Sequence, residues 1–353
     1  MGEIWILNGP TASGKSALAL ELAKYQPLRR PCVVVCADSV QAYQGLPLLT
    51  AQPSPEDHQS VPHLLYEEHS PLASKCSAAS WAQRLKETVA SSLQEGQHPL
   101  IVGGTGFYIK ALLEGLAAIP DVDASVMRAL TLLTTTQLFE ALKIEDPVMA
   151  GCLNPGDRQR VMRALAVVRA TGKSLHLWHK RPCPQTPAEA PWRARIFCVN
   201  PPAELLKERI KKRLDVMLKQ GVVDEVKTFA KTYLTQVPAL ERLSKVQHPQ
   251  HLTSKGVRGL LEQYGFQVKA WPAVTAALGF AELLLADQGA LSLSDATDLM
   301  LRRTLQYAKR QRTWFRHQLP PLGRTPYAEI LQMQTYTSAQ EALEQIAANF
   351  NVS

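Results

Sequence analysis

Eight residues near the start of the chain, Gly9-Pro10-Thr11-Ala12-Ser13-Gly14-Lys15-Ser16, are spaced as G-x-x-x-x-G-K-[ST]. That is the pattern of a phosphate-binding P-loop. Backbone N–H groups of such a loop point inward at a di- or triphosphate, and the helix that follows adds its positive end. Lys15 supplies a mobile charge, and the Ser16 hydroxyl is a ligand for Mg²⁺. ATP is the common occupant, but any pyrophosphate satisfies the same donors. A second candidate is Asp38, in "VVVCADSVQAY". It lies just past an apolar run, where the carboxyl ends of parallel strands form a ligand crevice. A carboxylate there can hold Mg²⁺, orient a hydroxyl or act as a base. Ser39 and Gln41 add groups suited to a base edge. The plainer reading of Asp38 is a turn cap.

These residues need a scaffold that brings strand ends together. Strand-like runs fall at Glu3–Asn8, Val33–Cys36, Pro99–Gly103 and Arg195–Asn200, with helical patterns between them. In the stretch 77–93, Trp81, Leu85, Val89 and Leu93 recur every four residues. The alternation predicts an α/β fold, a P-loop NTPase-like parallel sheet flanked by helices. From Asp121 to about Lys180 the pattern is all helical. That predicts an inserted helical domain over 121–185, between a first part of the core (1–120) and the rest of the core with C-terminal helices (186–353). The Pro-rich stretch 180–192 reads as the linker back. The stretch 236–271 is irregular, a helix is expected over Ser294–His317, and a last helix starts at the capping box Ser338-x-x-Glu341. The run "PLIVGGTGF" ends in Gly103-Gly104 where many P-loop ATPases carry an acidic residue. Small residues there let a ligand or a backbone approach closely. That weakens an ATPase reading.

Composition narrows the class. The chain has 353 residues, 46% of them hydrophobic, ample for a globular core. It has no apolar run long enough to span a membrane and no leader pattern, so a cytoplasmic enzyme is expected. Cys32, Cys36, Cys76, Cys152, Cys183 and Cys198 form no C-x-x-C pair and read as free thiols. The pairs His176/His179 and His248/His251 lack partners at ligand spacing. The net charge is +8, which permits a polyanionic partner. Two basic clusters stand out, 158–169 and 302–316. In the second, Arg302, Gln306, Lys309, Thr313 and Arg316 share a helical face. A solvated surface and an RNA contact read equally well there.

Taken in order, "GPTASGKS", "DSVQAY", "TAQPSPEDHQSVPHLL", "IVGGTGFYIKALLEGL", "NPGDRQRVMRALAVVRATGKSL" and "YAKRQRTWFR" resemble the tRNA dimethylallyltransferase (tRNA isopentenyltransferase) family. The resemblance runs from about Ile4 to Arg316. It implies transfer of a dimethylallyl group from dimethylallyl diphosphate to the N6 amine of the adenosine 3′ of the anticodon. The P-loop, Gly9 to Ser16, would then hold a prenyl diphosphate with Mg²⁺ through Ser16. Asp38 would be the base, Thr11 would touch the diphosphate at the reacting bond, and Arg213 would complete the clamp, with Arg209 as its alternative. The flipped adenosine would meet Asp38, Ser39, Val40, Gln41 and Thr105. The anticodon stem-loop would meet Gln159, Arg160, Val161, Met162 and Arg163, with Arg128 nearby and Lys309, Arg310 and Arg316 on the stem. All parts lie in one chain, so a monomer is expected. Gln52 stands where the family usually carries Lys, and the stretch 234–271 departs from the family pattern. Two other readings fit the P-loop: a small-molecule kinase with Asp38 orienting an acceptor hydroxyl, and a non-catalytic RNA-binding NTPase.

Overall fold

The structure, a computed structural model, describes residues 2–24, 30–73, 76–180, 191–234, 272–325 and 327–351. The chain divides into two compact units: residues 1–113 with 190–353, and residues 114–189. The helical unit therefore starts somewhat before and ends somewhat after the expected 121–185. The irregular stretch 236–271, Cys183 and most of the expected linker lie outside the described residues. Trp192, placed at the linker's end, instead opens a strand.

Among the described residues the first unit has seven strands: β1 (Gly2–Asn8), β2 (Cys32–Cys36), β3 (His63–Leu64), β4 (His98–Gly103), β5 (Trp192–Val199), β6 (Gly323–Arg324) and β7 (Ala328–Tyr336). Their order across the sheet is β3-β2-β4-β1-β5-β7-β6, and only the β6–β7 pair is antiparallel. The central strands are continuous apolar runs because both sheet faces are covered. On one face Trp5, Leu7, Leu100, Val102, Phe197 and Val199 pack with Leu18 and Leu22 of helix Lys15–Ala23 and Ile346 of helix Ala339–Asn351. Trp5 meets His98 and Phe197 edge-on, with ring centroids 4.8 and 5.5 Å apart. Helix Ala78–Gln94 packs on β2 and β4, burying Trp81, Leu85 and Val89 from the four-residue repeat.

Parallel pairing sets the functional edge. Asn8, at the end of β1, is level with Gly103 of β4 and Cys198 of β5. The loops after β1, β2 and β4 therefore leave the sheet on the same side. They carry the P-loop, Asp38 and Gly104-Thr105. Gly103 is required by this convergence: a Cβ there would stand 2.0 Å from the Ala37 carbonyl oxygen. The close approach expected of the Gly-Gly run is thus made by backbone at its first glycine.

Helix Leu293–Gln318 matches the expected span within a residue at each end. It packs on helix Ala203–Lys219 and helix Phe280–Asp287, and a buried Glu282–Arg303 ion pair fastens it to the latter. β7 was not legible in the sequence. It pairs along β5, and Arg195 of β5 donates to Gln332 of β7 at 3.1 Å. Gln332, Gln334 and Glu329 dilute the β-branched and aromatic signal on which strand assignment depends. The last helix is capped by Ser338, whose Oγ accepts from Glu341 N–H at 3.0 Å. The Glu341 carboxylate reaches back to Thr337 N–H at 2.8 Å, one residue further than a standard capping box.

The regular elements among the described residues of the second unit are all helices. Helices Ala124–Thr131, Thr135–Glu145, Pro147–Cys152, Arg158–Thr171 and Leu175–His179 surround a core of Leu130, Leu138, Leu142, Val161, Leu165 and their neighbours. Side-chain caps from Asp123, Thr134, Asp146, Asp157 and Ser174 start these helices. Such caps satisfy backbone donors that short helices would otherwise leave open.

Candidate active site

The P-loop joins β1 to helix Lys15–Ala23. Ala12 takes a φ of 60° and Gly14 a φ of 99°, so the loop turns through the left-handed region on both sides of Ser13. For a residue with a Cβ this is an uncommon conformation. Gly9 has a tighter reason: a Cβ there would lie 2.3 Å from the Val199 carbonyl oxygen of β5.

The loop faces a cavity of about 610 Å³. Thr11, Ala12, Gly14, Lys15 and Ser16 line it, together with Asp38, Ser39, Val40 and Gln41. Gly9, Pro10 and Ser13 do not line it. The Ser13 side chain is fully buried and its Oγ has no partner among the described residues. These three shape the loop rather than offer side chains to a ligand.

Helix Ala203–Lys219 closes one side. Arg213 Nη1 donates to Thr11 Oγ1 at 3.0 Å, and Arg209 Nη1 donates to the Ser13 carbonyl at 2.9 Å. The choice between these arginines dissolves: Arg213 holds the hydroxyl and Arg209 holds the backbone. Ile210 and Leu214 lie one position on from these arginines, Met217 lies a turn beyond Arg213, and all three also line the cavity. One helix thus presents a cationic stripe and an apolar stripe side by side. Met300, Thr304, Tyr307, Arg310 and Gln311 of helix Leu293–Gln318 form another wall. Arg310, expected on the tRNA stem, therefore faces the cavity.

The electrostatics favour an anion. Burial, with a smaller push from Arg213, lowers the Lys15 ammonium to about 8 against the pull of Asp38. Arg213 itself is held below its ordinary value by burial, with Asp38 opposing. Burial raises the Tyr307 phenol, and the Asp38 charge adds to this. Two cations, Lys15 and Arg213, thus share the Asp38 carboxylate in a confined space, and a diphosphate would supply further negative charge.

The loop after β2 is braced from below. Asp38 Oδ1 accepts from Val40 N–H at 3.1 Å, the expected turn bond, while the residue also faces the cavity. Thr105 does not line the cavity. Its Oγ1 accepts from Ser39 N–H at 3.1 Å, so it acts through Ser39. The Gln41 amide nitrogen donates to the Thr50 and Ala51 carbonyls at 3.1 and 2.6 Å. Its donors are spent on the protein and are not free to read a base edge. Gln52, where the family pattern has Lys, donates to the Gln41 and Tyr43 carbonyls at 2.8 and 3.2 Å. At this position the chain has a loop brace.

The residues expected on RNA fall in the helical unit. Gln159, Arg160, Arg163 and Arg128 are exposed. Among the described residues, the Arg160 guanidinium has only an open ion pair, to Asp157 at 3.4 Å. Val161 is corrected: it is fully buried in the helical core, and Met162 packs against that core. Their side chains hold the helix that displays the two arginines. Among the described residues no group of three His, Cys, Asp or Glu could hold a metal ion. Cys32, Cys36 and Cys198 are buried free thiols. No helix among the described residues is long and apolar enough to cross a membrane.

Residues 41–318 match the IPP transferase family. The chain belongs to that family. It is 33% identical to a tRNA dimethylallyltransferase of Zymomonas mobilis, over 89% of this chain and 88% of that one. It is 37% identical to another of Azorhizobium caulinodans, over 93% and 94%. Among solved structures it resembles a tRNA isopentenylpyrophosphate transferase of Staphylococcus epidermidis, with a TM-score of 0.57 and 27% identity over 100% of both chains. A eukaryotic dimethylallyltransferase acting on tRNA shares the fold, with a TM-score of 0.65 and 22% identity over 89% of this chain and 70% of that one. The kinase reading has no support among these relatives.

Proposed function

We infer that this member of the IPP transferase family transfers a dimethylallyl group to the N6 amine of a tRNA adenosine next to the anticodon, with dimethylallyl diphosphate as donor. The observation that carries the reading is the pairing of Thr11 with Arg213 inside a cavity that also holds Lys15 and Asp38. Release of diphosphate builds negative charge on oxygen. Lys15, Arg213 and the P-loop N–H groups not already bonded within the protein stand ready around that charge, and preorganised donors of this kind are a large part of catalysis. The five-carbon chain has an apolar seat along Ile210, Leu214 and Met217.

The adenine amine is a weak nucleophile, because its lone pair is shared with the ring. It must lose a proton as the new C–N bond forms. Asp38 is the carboxylate that faces the same cavity, and it takes that proton. The target base must leave its stack to reach the amine-accepting position. Ser39 and Val40 line the cavity beside Asp38 and would border the flipped base.

The donor set suits Mg²⁺, since the Ser16 hydroxyl and the Asp38 carboxylate are hard oxygen ligands on the same cavity. Ser16 would hold the ion, which would supply further charge neutralisation at the diphosphate. In the helical unit, Arg160 and Arg163 would grip RNA phosphates. We take the enzyme to act as a monomer in the cytoplasm.

Mass spectrometry of nucleosides tests this directly. Purified protein with unmodified tRNA, Mg²⁺ and dimethylallyl diphosphate should yield N6-dimethylallyl adenosine. Asp38→Asn should abolish that product while leaving tRNA affinity nearly intact. Product formation by Asp38→Asn at the native rate would remove Asp38 as the base.

A further inference from the structure

Gln311 is a buried amide at the cavity wall, 6% exposed, that the mechanism above does not use. Its Oε1 accepts from Thr11 N–H at 2.9 Å. Its Nε2 donates to the Gly104 carbonyl at 2.8 Å. One side chain on helix Leu293–Gln318 thereby ties the loop after β1 to the loop after β4. Space has been cleared for it. A Cβ at Gly104 would stand 2.4 Å from Gln311 Nε2, and one at Gly106 would stand 2.1 Å from the Trp314 ring, one turn along the helix. The second and third glycines of "GGTG" are thus explained by the seating of that helix.

The consequence falls on Thr11. In a P-loop the backbone N–H groups ordinarily point at phosphate. Here the Thr11 N–H is turned to Gln311, while its Oγ1 accepts from Arg213. A threonine hydroxyl has one proton and two lone pairs. With one lone pair filled by an arginine and the backbone fixed by Gln311, the hydroxyl proton remains to be given to a ligand.

We propose that Gln311 is a positioning residue for group transfer: it fixes Thr11 so that its hydroxyl donates to the leaving diphosphate, and it makes that alignment depend on how helix Leu293–Gln318 is seated. The proposal rests on the prenyl-transfer reading given above. The amide contributes to alignment at the reacting bond, so its loss should appear in kcat more than in the KM for the diphosphate.

Three single variants and one double variant test it, assayed with saturating tRNA and varied dimethylallyl diphosphate, with folding checked by thermal melting. Gln311→Met removes both hydrogen bonds at similar size. Its kcat should fall about 100-fold, with KM changed less than about threefold. Gly104→Ala leaves Gln311 in place but crowds its amide, and kcat should fall in the same sense. The double variant should be no worse than the poorer single one, because both break the same link. Gln311→Glu keeps the acceptor for Thr11 but sets a carboxylate oxygen against the Gly104 carbonyl. Only its protonated form can donate there, so its kcat relative to the native enzyme should rise as pH falls. If Gln311→Met does not fold, the other two variants carry the test. An unchanged kcat, a raised KM at constant kcat, or multiplicative losses in the double variant would overturn the proposal. A native enzyme that makes no prenylated adenosine would instead overturn the reading on which it rests.

Discussion

Lys15 carries the sharpest prediction at the scale of single residues. Its ammonium is held near 8 because it is packed among protein groups with Arg213 close by, and Asp38 offsets only part of that cost. A bound diphosphate would raise the value again, since an adjacent anion favours the charged form. The sign follows. Below about pH 8 the free protein already carries the proton and binds with full affinity. Above it, binding must first take up a proton, so affinity falls as pH rises. Calorimetric titration with dimethylallyl diphosphate, whose diphosphate is fully ionised there, at pH 8.5–9 (roughly half a unit or more above the free value), in two buffers of different ionisation enthalpy, should show proton uptake. Equal heats in the two buffers would mean that Lys15 does not titrate in this window. The P-loop and Asp38 were legible from spacing alone, since their chemistry depends on residue type at fixed intervals. Gln311 was not. A glutamine inside a polar helix looks like solvent-facing surface until the two backbone partners, far away in sequence, are in place.

At the scale of elements, helix Ala203–Lys219 does two jobs with adjacent stripes. Arg209 and Arg213 are one turn apart and meet the P-loop, while Ile210, Leu214 and Met217 line the cavity beside them. At 1.5 Å per residue the apolar stripe spans about 10 Å, enough for a short prenyl chain. Leu214→Asn should therefore raise the KM for dimethylallyl diphosphate by about tenfold, the scale of one lost apolar seat. It should leave inhibition by inorganic pyrophosphate unchanged, because pyrophosphate has no chain to seat. Weakened inhibition by both ligands would place Leu214 in the support of the arginines instead. Helix Arg158–Thr171 has a simpler division. Val161, Ala164, Leu165 and Val168 hold its inner side, and Arg160 stands out at 74% side-chain exposure. If Arg160 meets an RNA phosphate, Arg160→Ala should lower the slope of log affinity against log salt by about one. An unchanged slope would remove that contact. The amphipathic pattern of this helix was readable, but whether a motif residue is displayed or buried depends on where the core lies. That is why Val161 was misplaced among the contacts.

At the scale of the molecule, the chain folds as two units with separate cores, one around the sheet and one among the short helices. The alternation of apolar runs made the sheet's central strands legible, and the all-helical run marked the insertion. β7 was hidden because its pairing with β5 joins segments far apart in sequence. Separate cores predict separable losses. Leu165 is fully buried in the helical core, and Leu165→Ala there should cost about 2–5 kcal/mol of local stability. Local openings follow such units rather than the whole chain. Hydrogen exchange should then speed across 114–189 while β1, β4 and β5 keep their protection. In the same protein, tRNA affinity should fall while pyrophosphate affinity holds, because the P-loop, Asp38 and the two arginines all belong to the sheet unit. Loss of protection in both units together would show one cooperative fold. Equal loss of both affinities would show that diphosphate binding depends on the helical unit.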